Sequence, residues 1–396
     1  MPATTLNNNQ MATILTKAVN QFTGKTIDTI DLTGIIANKS DYGIVGSVEQ
    51  FTKALINVIM KQWYMDTEYR SGYFSPFFVD EAEYGAITEV ISITVPDAQP
   101  ASNWTDIVSG QTQLGLYTIY LPTVDVAVYG KTLSWQIPVA IQEDKIKTAL
   151  DNETELREYV AHVFLCVDNA LVSHMDALDA ANRNSFIASK IAYAGSVGAT
   201  GIHKVNLVQE YVNDAGLEST GMTVKEYRNT KDALINGAST IMDFYERFSK
   251  MSTNYNTMGY KRFTPEGRKV LQLLSWFDKK LNYNMKSTTF HDELLAMPNY
   301  QKVPFWQSEK RSEAGKINVE IDVDGTKTTI EQDNIVGLLC DSWAIVHTIK
   351  ARDAVAKIFE PEHLVQYYKQ FQDCYYNNLG MNGIVFVLED VAAATS

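Results

Sequence analysis

The spacing of apolar residues along the 396-residue chain separates a polar beginning from a long region of alternating strand and helix patterns. Residues 1–50 are polar and rich in turn-forming residues, which is typical of an extended arm. Apolar residues at helical spacing from Ser47 to Trp63 then predict one short helix. We therefore expect residues 1–80 to form an N-terminal arm and a short helix, without a core of their own.

Residues 81–130 have the pattern of a long two-stranded excursion. Apolar runs at 87–95 and 116–128 flank a polar loop at 96–110, which is longer than ordinary hairpin loops. The segment contains six acidic residues and no Lys or Arg. Because an isolated two-stranded ribbon is marginally stable in water, we expect this one to lie on a partner surface.

The strongest helical pattern follows this excursion. Asn152 and Glu155 have the spacing of a capping box, and apolar residues then recur along one helix face. The pattern predicts a helix that reaches about Ser189, which is far longer than the mean helix of about 11 residues. Three glycines between 195 and 201 mark its end and a boundary between structural units.

The second half of the chain alternates between helical and strand patterns without an internal repeat. The predicted elements are helices at 223–250, 264–281 and 363–376, a hairpin at 319–330 turning at Asp324–Gly325, buried strands within 334–349, and a last strand at 382–388. Strands and helices in this mixture predict an α+β fold.

Composition and charge restrict the function classes. Hydrophobic residues make up 45% of the chain and charged residues 20%, which are values of ordinary folded proteins. The 34 Lys+Arg and 47 Asp+Glu residues give a net charge of −13, which disfavours nucleic-acid reading and polybasic membrane binding. Three distant cysteines, no signal-peptide pattern and no long apolar segment predict a soluble protein made in a reducing cytoplasm. The 21 Tyr residues suit protein interfaces.

One acidic segment partly matches a calcium-binding loop. Glu320 to Glu331 place oxygen ligands at several positions of the 12-residue template. However, the first position is not Asp, Lys327 stands where an apolar residue is expected, and the surrounding pattern alternates with period two. The sequence therefore favours a hairpin over a metal site.

Two further patterns resemble binding sites. His162 and Cys166 lie four residues apart on the long helix, a spacing that two metal ligands could use, but no second pair follows, so core packing is favoured. Residues 195–204 contain three glycines but lack the Gly-Lys-Ser/Thr ending of a phosphate loop, so a connector is favoured. We predict no catalytic, cofactor-binding or metal residues, no cofactor and no enzyme activity.

Several short segments resemble one protein family, both in their residues and in their order along the chain. They are Glu83 to Ile91, Thr264–Pro265–Glu266, Asp341 to Val346, Tyr375 to Gly380, and Asn382 to Phe386. The first resembles the beginning of the E-loop, the second an A-domain helix, and the others the closing strands of tailed-bacteriophage major capsid proteins with the Hong Kong 97 fold. Among these proteins, the chain most resembles the capsid proteins of short-tailed phages of Gram-positive hosts.

The resemblance implies a division of the chain into named parts. These are an N-arm at 1–80, an E-loop hairpin at 81–130, P-domain strands and a long spine helix at 131–201, an A-domain at 202–350, and a return to the P-domain with the C-terminal strand at 351–396. It implies a major capsid protein that assembles in the host bacterial cytoplasm, as hexamers and pentamers, into the icosahedral head of a virion around double-stranded DNA.

The implied partners are further copies of this chain, a scaffolding protein, a portal protein and a head fibre or decoration protein, with DNA touched only non-specifically on the inner wall and no membrane. Because residues 81–130 hold no Lys, we expect no covalent crosslink from this loop. About eighty residues without helical heptads precede the loop, so we expect a separate scaffolding protein. Two alternatives stay open: an encapsulin-type compartment, and a soluble metal-dependent enzyme that uses Glu320 to Glu331.

Overall fold

The computed structural model describes eleven stretches of the chain. They are residues 16–21, 23–24, 75–79, 88–93, 124–129, 132–142, 153–196, 198–286, 299–323, 325–359 and 364–393. The helix predicted from Ser47 to Trp63 and the polar loop at 96–110 lie outside these residues. The side chains of His162 and Cys166 also lie outside the described part.

The described helices and strands follow one another in a mixed order. The helices are α1 (Glu153–Ala194), α2 (Leu207–Asp214), α3 (Val224–Asn229), α4 (Lys231–Arg247) and α5 (Ser275–Lys286), with 3₁₀ turns at Ser75–Phe77 and Glu266–Arg268. The strands are β1 (Phe78–Val79), β2 (Thr88–Ile93), β3 (Val124–Tyr129), β4 (Thr132–Gln142), β5 (Lys204–Asn206), β6 (Lys269–Leu274), β7 (Gln301–Val303), β8 (Ile317–Val323), β9 (Thr326–Gln332), β10 (Ile335–Asp341), β11 (Ile345–Phe359), β12 (Leu364–Asn377) and β13 (Gly383–Val387). The predicted α+β class is confirmed.

Two sheets and one long helix organise the molecule. The first sheet has the strand order β1-β11-β12-β4, and the second has the order β5-β13-β10-β6-β7. The other described strands form two separate hairpins, β2–β3 and β8–β9. Helix α1 has 42 residues and packs against strands of both sheets, so it joins the two halves of the structure.

Helix α1 is the long helix that the apolar pattern predicts, and it ends at Ala194, five residues later than predicted. Its described half buries Leu171 and Met175 toward the first sheet, and Phe186 and Ile187 toward the second. The chain leaves the helix through glycines, as predicted. Gly201 has a φ of +90°, and a Cβ there would lie 2.4 Å from the backbone oxygen of Asn254.

The helix predicted at 363–376 is wrong, because these residues form strand β12. Every residue from Leu364 to Asn377 pairs with β11 along one edge, and the one-residue shift of the ladder falls on β11, between Ile349 and Ala351. Residues 364–374 also pair with β4 along the other edge. Alternation is visible where side chains are described, since Phe371 and Asp373 are buried while Gln370 and Gln372 are exposed. Two neighbouring strands supply partners for the backbone of this segment and override its local helical spacing.

The helix predicted at 264–281 is also wrong in its first half. The Thr264–Pro265 signal begins a single 3₁₀ turn, residues 269–274 form strand β6, and only Ser275 begins a helix. Strand β6 lies between β10 and β7 in the second sheet, and its last five side chains are buried. Burial on both faces requires a continuous apolar run, which periodicity alone does not distinguish from a helix.

The remaining predictions in this half are confirmed or refined. Thr223 and Glu226 form the capping box, but the predicted helix divides at Thr230, whose extended backbone ends α3 and precedes α4. The hairpin β8–β9 has the predicted turn position, with Gly325 at a φ of +80°. Strands β10 and β13 are fully buried in the second sheet.

The core lies on both faces of the second sheet. On β13, Ile384 and Phe386 face the cluster of helices α2, α4 and α5, while Val385 and Val387 face α1, Trp306 and the β8–β9 hairpin. Successive side chains of the strand thus point to opposite faces, and an apolar layer covers each face of the sheet. The segment boundaries predicted for the named parts stay a prediction, although β13 lies in the same sheet as strands from residues 202–350.

Candidate functional site

The hairpin β2–β3 carries the largest group of exposed aliphatic side chains among the described residues. Ile91 lies opposite Val126 and Ile93 opposite Val124, so these side chains share one face of the ribbon with Val128. Their exposed fractions run from 47% at Val126 to 65% at Ile93. A contiguous apolar face of this kind marks a surface for protein contact.

The opposite face of the hairpin is held against the body of the protein. The ring of Tyr129 stacks on Tyr376 with centroids 4.2 Å apart, and a guanidinium nitrogen of Arg262 donates a hydrogen bond to Ser92 Oγ. Burial raises the pKa of the Tyr129 hydroxyl. Val90 and Ala127 point to the same side and line a small cavity of about 130 Å³. These contacts fix the orientation of the ribbon, so its apolar face is turned outward.

Four other apolar side chains between residues 251 and 343 are also exposed. Met251, Met258, Phe263 and Trp343 are each about half exposed. The guanidinium carbon of Arg268 lies 3.9 Å from the centre of a Trp343 ring, and the same guanidinium binds both carboxylate oxygens of Asp341 at 3.1 and 2.5 Å. Arg268 and Asp341 therefore hold the exposed tryptophan in place.

The acidic segment from Glu320 to Glu331 has the hairpin geometry that the sequence favours. Lys327 Nζ donates to Glu320 Oε1 at 2.7 Å, and Glu331 pairs with Lys316. Glu320 and Glu331, the two ends of the segment, therefore each have a lysine partner. In the part of the chain that the structure describes, no group of three or more His, Cys, Asp or Glu residues could hold a metal ion.

The glycine-rich segment and the cysteines also have structural surroundings. Lys204, at the end of the glycine-rich segment, forms an ion pair with Glu389 at 2.8 Å. The side chains of Cys340 and Cys374 are both buried. No described helix is both long enough and apolar enough to cross a membrane.

Comparison with models of known protein families shows which family the chain belongs to. The model of the Phi29-like phage major capsid protein family matches residues 11–387. The chain belongs to this family. As a phage major capsid protein it forms the shell of the virion head, which is the function that the resemblance implied. Neither the encapsulin-type compartment nor the metal-dependent enzyme has support from these findings.

Solved structures of phage capsids are similar to this capsid protein at low sequence identity. A chain of the Staphylococcus phage Andhra capsid shares 8% identity over 78% of this chain and 82% of its own, with a TM-score of 0.48. A chain from the structure of the head fibre and inner core protein gp22 of native bacteriophage P68 shares 11% identity over 78% and 83%, also at 0.48. The cyanophage P-SCSP1u capsid shares 14% over 83% and 90%, at 0.43. A comparison with curated proteins found no match.

The capsid protein also contains a buried charged cluster that sequence reasoning missed. His347 Nδ1 lies 3.0 Å from Asp179 Oδ1, His347 Nε2 lies 3.9 Å from Asp373 Oδ2, and Trp135 Nε1 donates to the same Asp373 oxygen at 3.0 Å. The side chains of the histidine and both aspartates are at most 5% exposed. The cluster joins α1 to the first sheet, and its signal in the sequence is polar residues at positions that the apolar pattern assigns to the core.

Proposed function

We propose that the apolar face of the β2–β3 hairpin is covered by a neighbouring copy of the capsid protein in the head shell. The single observation that supports this is the outward row of five aliphatic side chains on a ribbon whose other face is anchored. Burying each half-exposed side chain contributes roughly 1 kcal/mol. A contact between different surfaces of identical subunits generates rings, which suits hexamers and pentamers.

The two sheets suit different places in the shell. We assign the first sheet and α1 to the P-domain and its spine helix, and the hairpin with residues 81–130 to the E-loop. The second sheet and helices α2, α4 and α5 would then form the A-domain near the capsomer axis, with β13 included because it lies between β5 and β10. Residues 1–80 would form the arm that lies on adjacent subunits.

Partners beyond this chain follow from its chemistry and family. We expect a separate scaffolding protein, a portal protein and a head fibre or decoration protein to contact the shell. A net charge of −13 repels DNA phosphate, so contact with packaged DNA would be weak and non-specific. The absence of Lys from residues 81–130 argues against a covalent crosslink from this loop, and we infer a mechanical role without catalysis.

Replacement of Ile91 by Asp tests the hairpin contact. The exposed side chain allows the variant to fold, but a carboxylate would be buried against the neighbour, so we expect loss of shell assembly. The matched control is Ser239→Asp, which adds the same charge at an exposed position on α4. Assembly with scaffolding protein is measured by sedimentation and electron microscopy, and folding by circular dichroism. Normal shells from both Ile91→Asp and Val126→Asp would refute the proposal.

A further inference from the structure

Two adjoining cavities in the second half of the chain have cationic walls. One has a volume of about 800 Å³ and the other about 550 Å³, and Arg228, Trp276 and Asn334 line both. The first also contains Arg311 and Lys316, and the second contains Lys225 and Lys280. Of these five cations, Lys316 already pairs with Glu331 and Asp333. In the described part of the chain the other four have no carboxylate partner, although the net charge of the whole chain is −13.

Arg228 stands in the wall that the cavities share, and its contacts are to neutral groups. One guanidinium nitrogen donates to Asn334 Oδ1 at 2.6 Å, and the guanidinium carbon lies 4.5 Å from the centre of a Trp276 ring. Within the described residues, Arg228 has no carboxylate partner, and its buried Nε–H has no hydrogen-bond acceptor. A buried donor without an acceptor is unfavourable, and a bound anion would supply the missing acceptor.

The carboxylates in these walls already have donors of their own. Glu313 accepts a hydrogen bond from Ser308 at 2.9 Å, Asp333 lies 3.6 Å from Lys316, and Asp390 accepts from the backbone N–H of Val224 at 2.6 Å. None of them neutralises Arg228. The positive charge on the shared wall is therefore available to a ligand.

We propose that this pair of cavities, named the Arg228 site, binds a phosphate-bearing ligand. The cations come from α3, α5 and the turn at 311–316, so they reach the shared wall from several directions. Such an arrangement suits a divalent tetrahedral anion, whose oxygens also point in several directions, better than a planar monovalent carboxylate. The site is separate from the β2–β3 hairpin and does not depend on the proposed contact there.

Titration of inorganic phosphate and pyrophosphate into the full-length chain tests the proposal by calorimetry at fixed ionic strength. We expect saturable binding of one ligand per chain with a dissociation constant below about 1 mM. Arg228→Gln should weaken binding about tenfold or more, since it removes a charged hydrogen-bond donor. Arg247→Gln is the matched control, because Arg247 is an exposed arginine on α4 that pairs with Asp243.

A second variant covers the case in which Arg228→Gln fails to fold. Arg311 is exposed on the cavity wall, and Arg311→Gln should weaken phosphate binding severalfold while leaving the circular dichroism spectrum unchanged. Absence of saturable phosphate binding to the wild-type chain would overturn the proposal. So would equal affinity for acetate, or equal weakening by Arg247→Gln and Arg311→Gln.

Discussion

Replacement of His347 by Gln should strongly destabilise the capsid protein. His347 lies between Asp179 and Asp373 with all three side chains at most 5% exposed, so the same buried imidazole serves both carboxylates. Gln keeps a hydrogen-bond donor but supplies no charge. Removing one member of a buried ionic cluster typically costs about 3–5 kcal/mol, because an uncompensated charge stays buried. We expect a loss of this size in the free energy of unfolding.

The pH dependence provides a sharper signature. Burial acts to lower the pKa of His347, but the hydrogen bonds and the attraction of Asp179 and Asp373 outweigh it, and the net shift is upward from 6.5. Burial also raises the pKa of Asp179 above 3.8. The histidine contribution is therefore complete below about pH 6.5 and is lost as pH rises through the folded-state pKa. Wild-type stability should therefore fall as pH rises through the pKa of folded His347. The His347→Gln variant should lack this fall.

Other groups around the cluster set the conditions of the measurement. Asp176 and Arg183 on α1 act on Asp179, and Tyr375 stacks on the His347 ring at 4.3 Å. Urea unfolding of the unassembled chain, followed by circular dichroism at several pH values, gives the free energies. Arg247→Gln is the control because it removes an exposed cation that pairs with Asp243 on α4. A loss below about 1 kcal/mol, or an unchanged pH slope, would refute the reasoning.

Two further substitutions probe buried positions. Burial lowers the pKa of Lys190 to about 7, so between pH 7 and about 10 the unfolded chain binds more protons than the folded one and wild-type stability rises with pH. Lys190→Met should remove this rise in urea midpoint with pH, and an unchanged rise in the variant would contradict the reasoning. Gly201→Ala should cost several kcal/mol by thermal unfolding, because it adds a Cβ 2.4 Å from Asn254 oxygen at a positive φ. Gly216→Ala has a positive φ but open space, so it should cost only about 1 kcal/mol, and equal losses would refute the clash.

Prediction from the sequence succeeded where one local signal was sufficient. The long helix α1 follows from a capping pattern and a sustained apolar stripe, and the β8–β9 hairpin follows from alternation around an Asp-Gly turn. Prediction failed at β6 and β12, because their pairing partners decide between strand and helix. Strand β12 finds those partners in β11 and in β4, which lies more than 200 residues earlier in the chain.

The candidate site was predictable only in outline. The lack of a core in residues 81–130 indicated a ribbon that needs a partner, but alternation leaves open which face is outward. Contacts of Tyr129 with Tyr376 and of Arg262 with Ser92 decide that orientation. The Arg228 site was not predicted at all, since its walls come from residues between 223 and 390 that carry no common motif.

By itself, the sequence determined the class of protein and the elements with strong local patterns. Hydrophobic periodicity and turn residues act over a few positions, so they are readable without a fold. Only the tertiary structure decided the central strands, the outward face of the hairpin and the meeting of Asp179, His347 and Asp373. These features depend on contacts between residues far apart in the chain, and their energies arise from burial that no local pattern records.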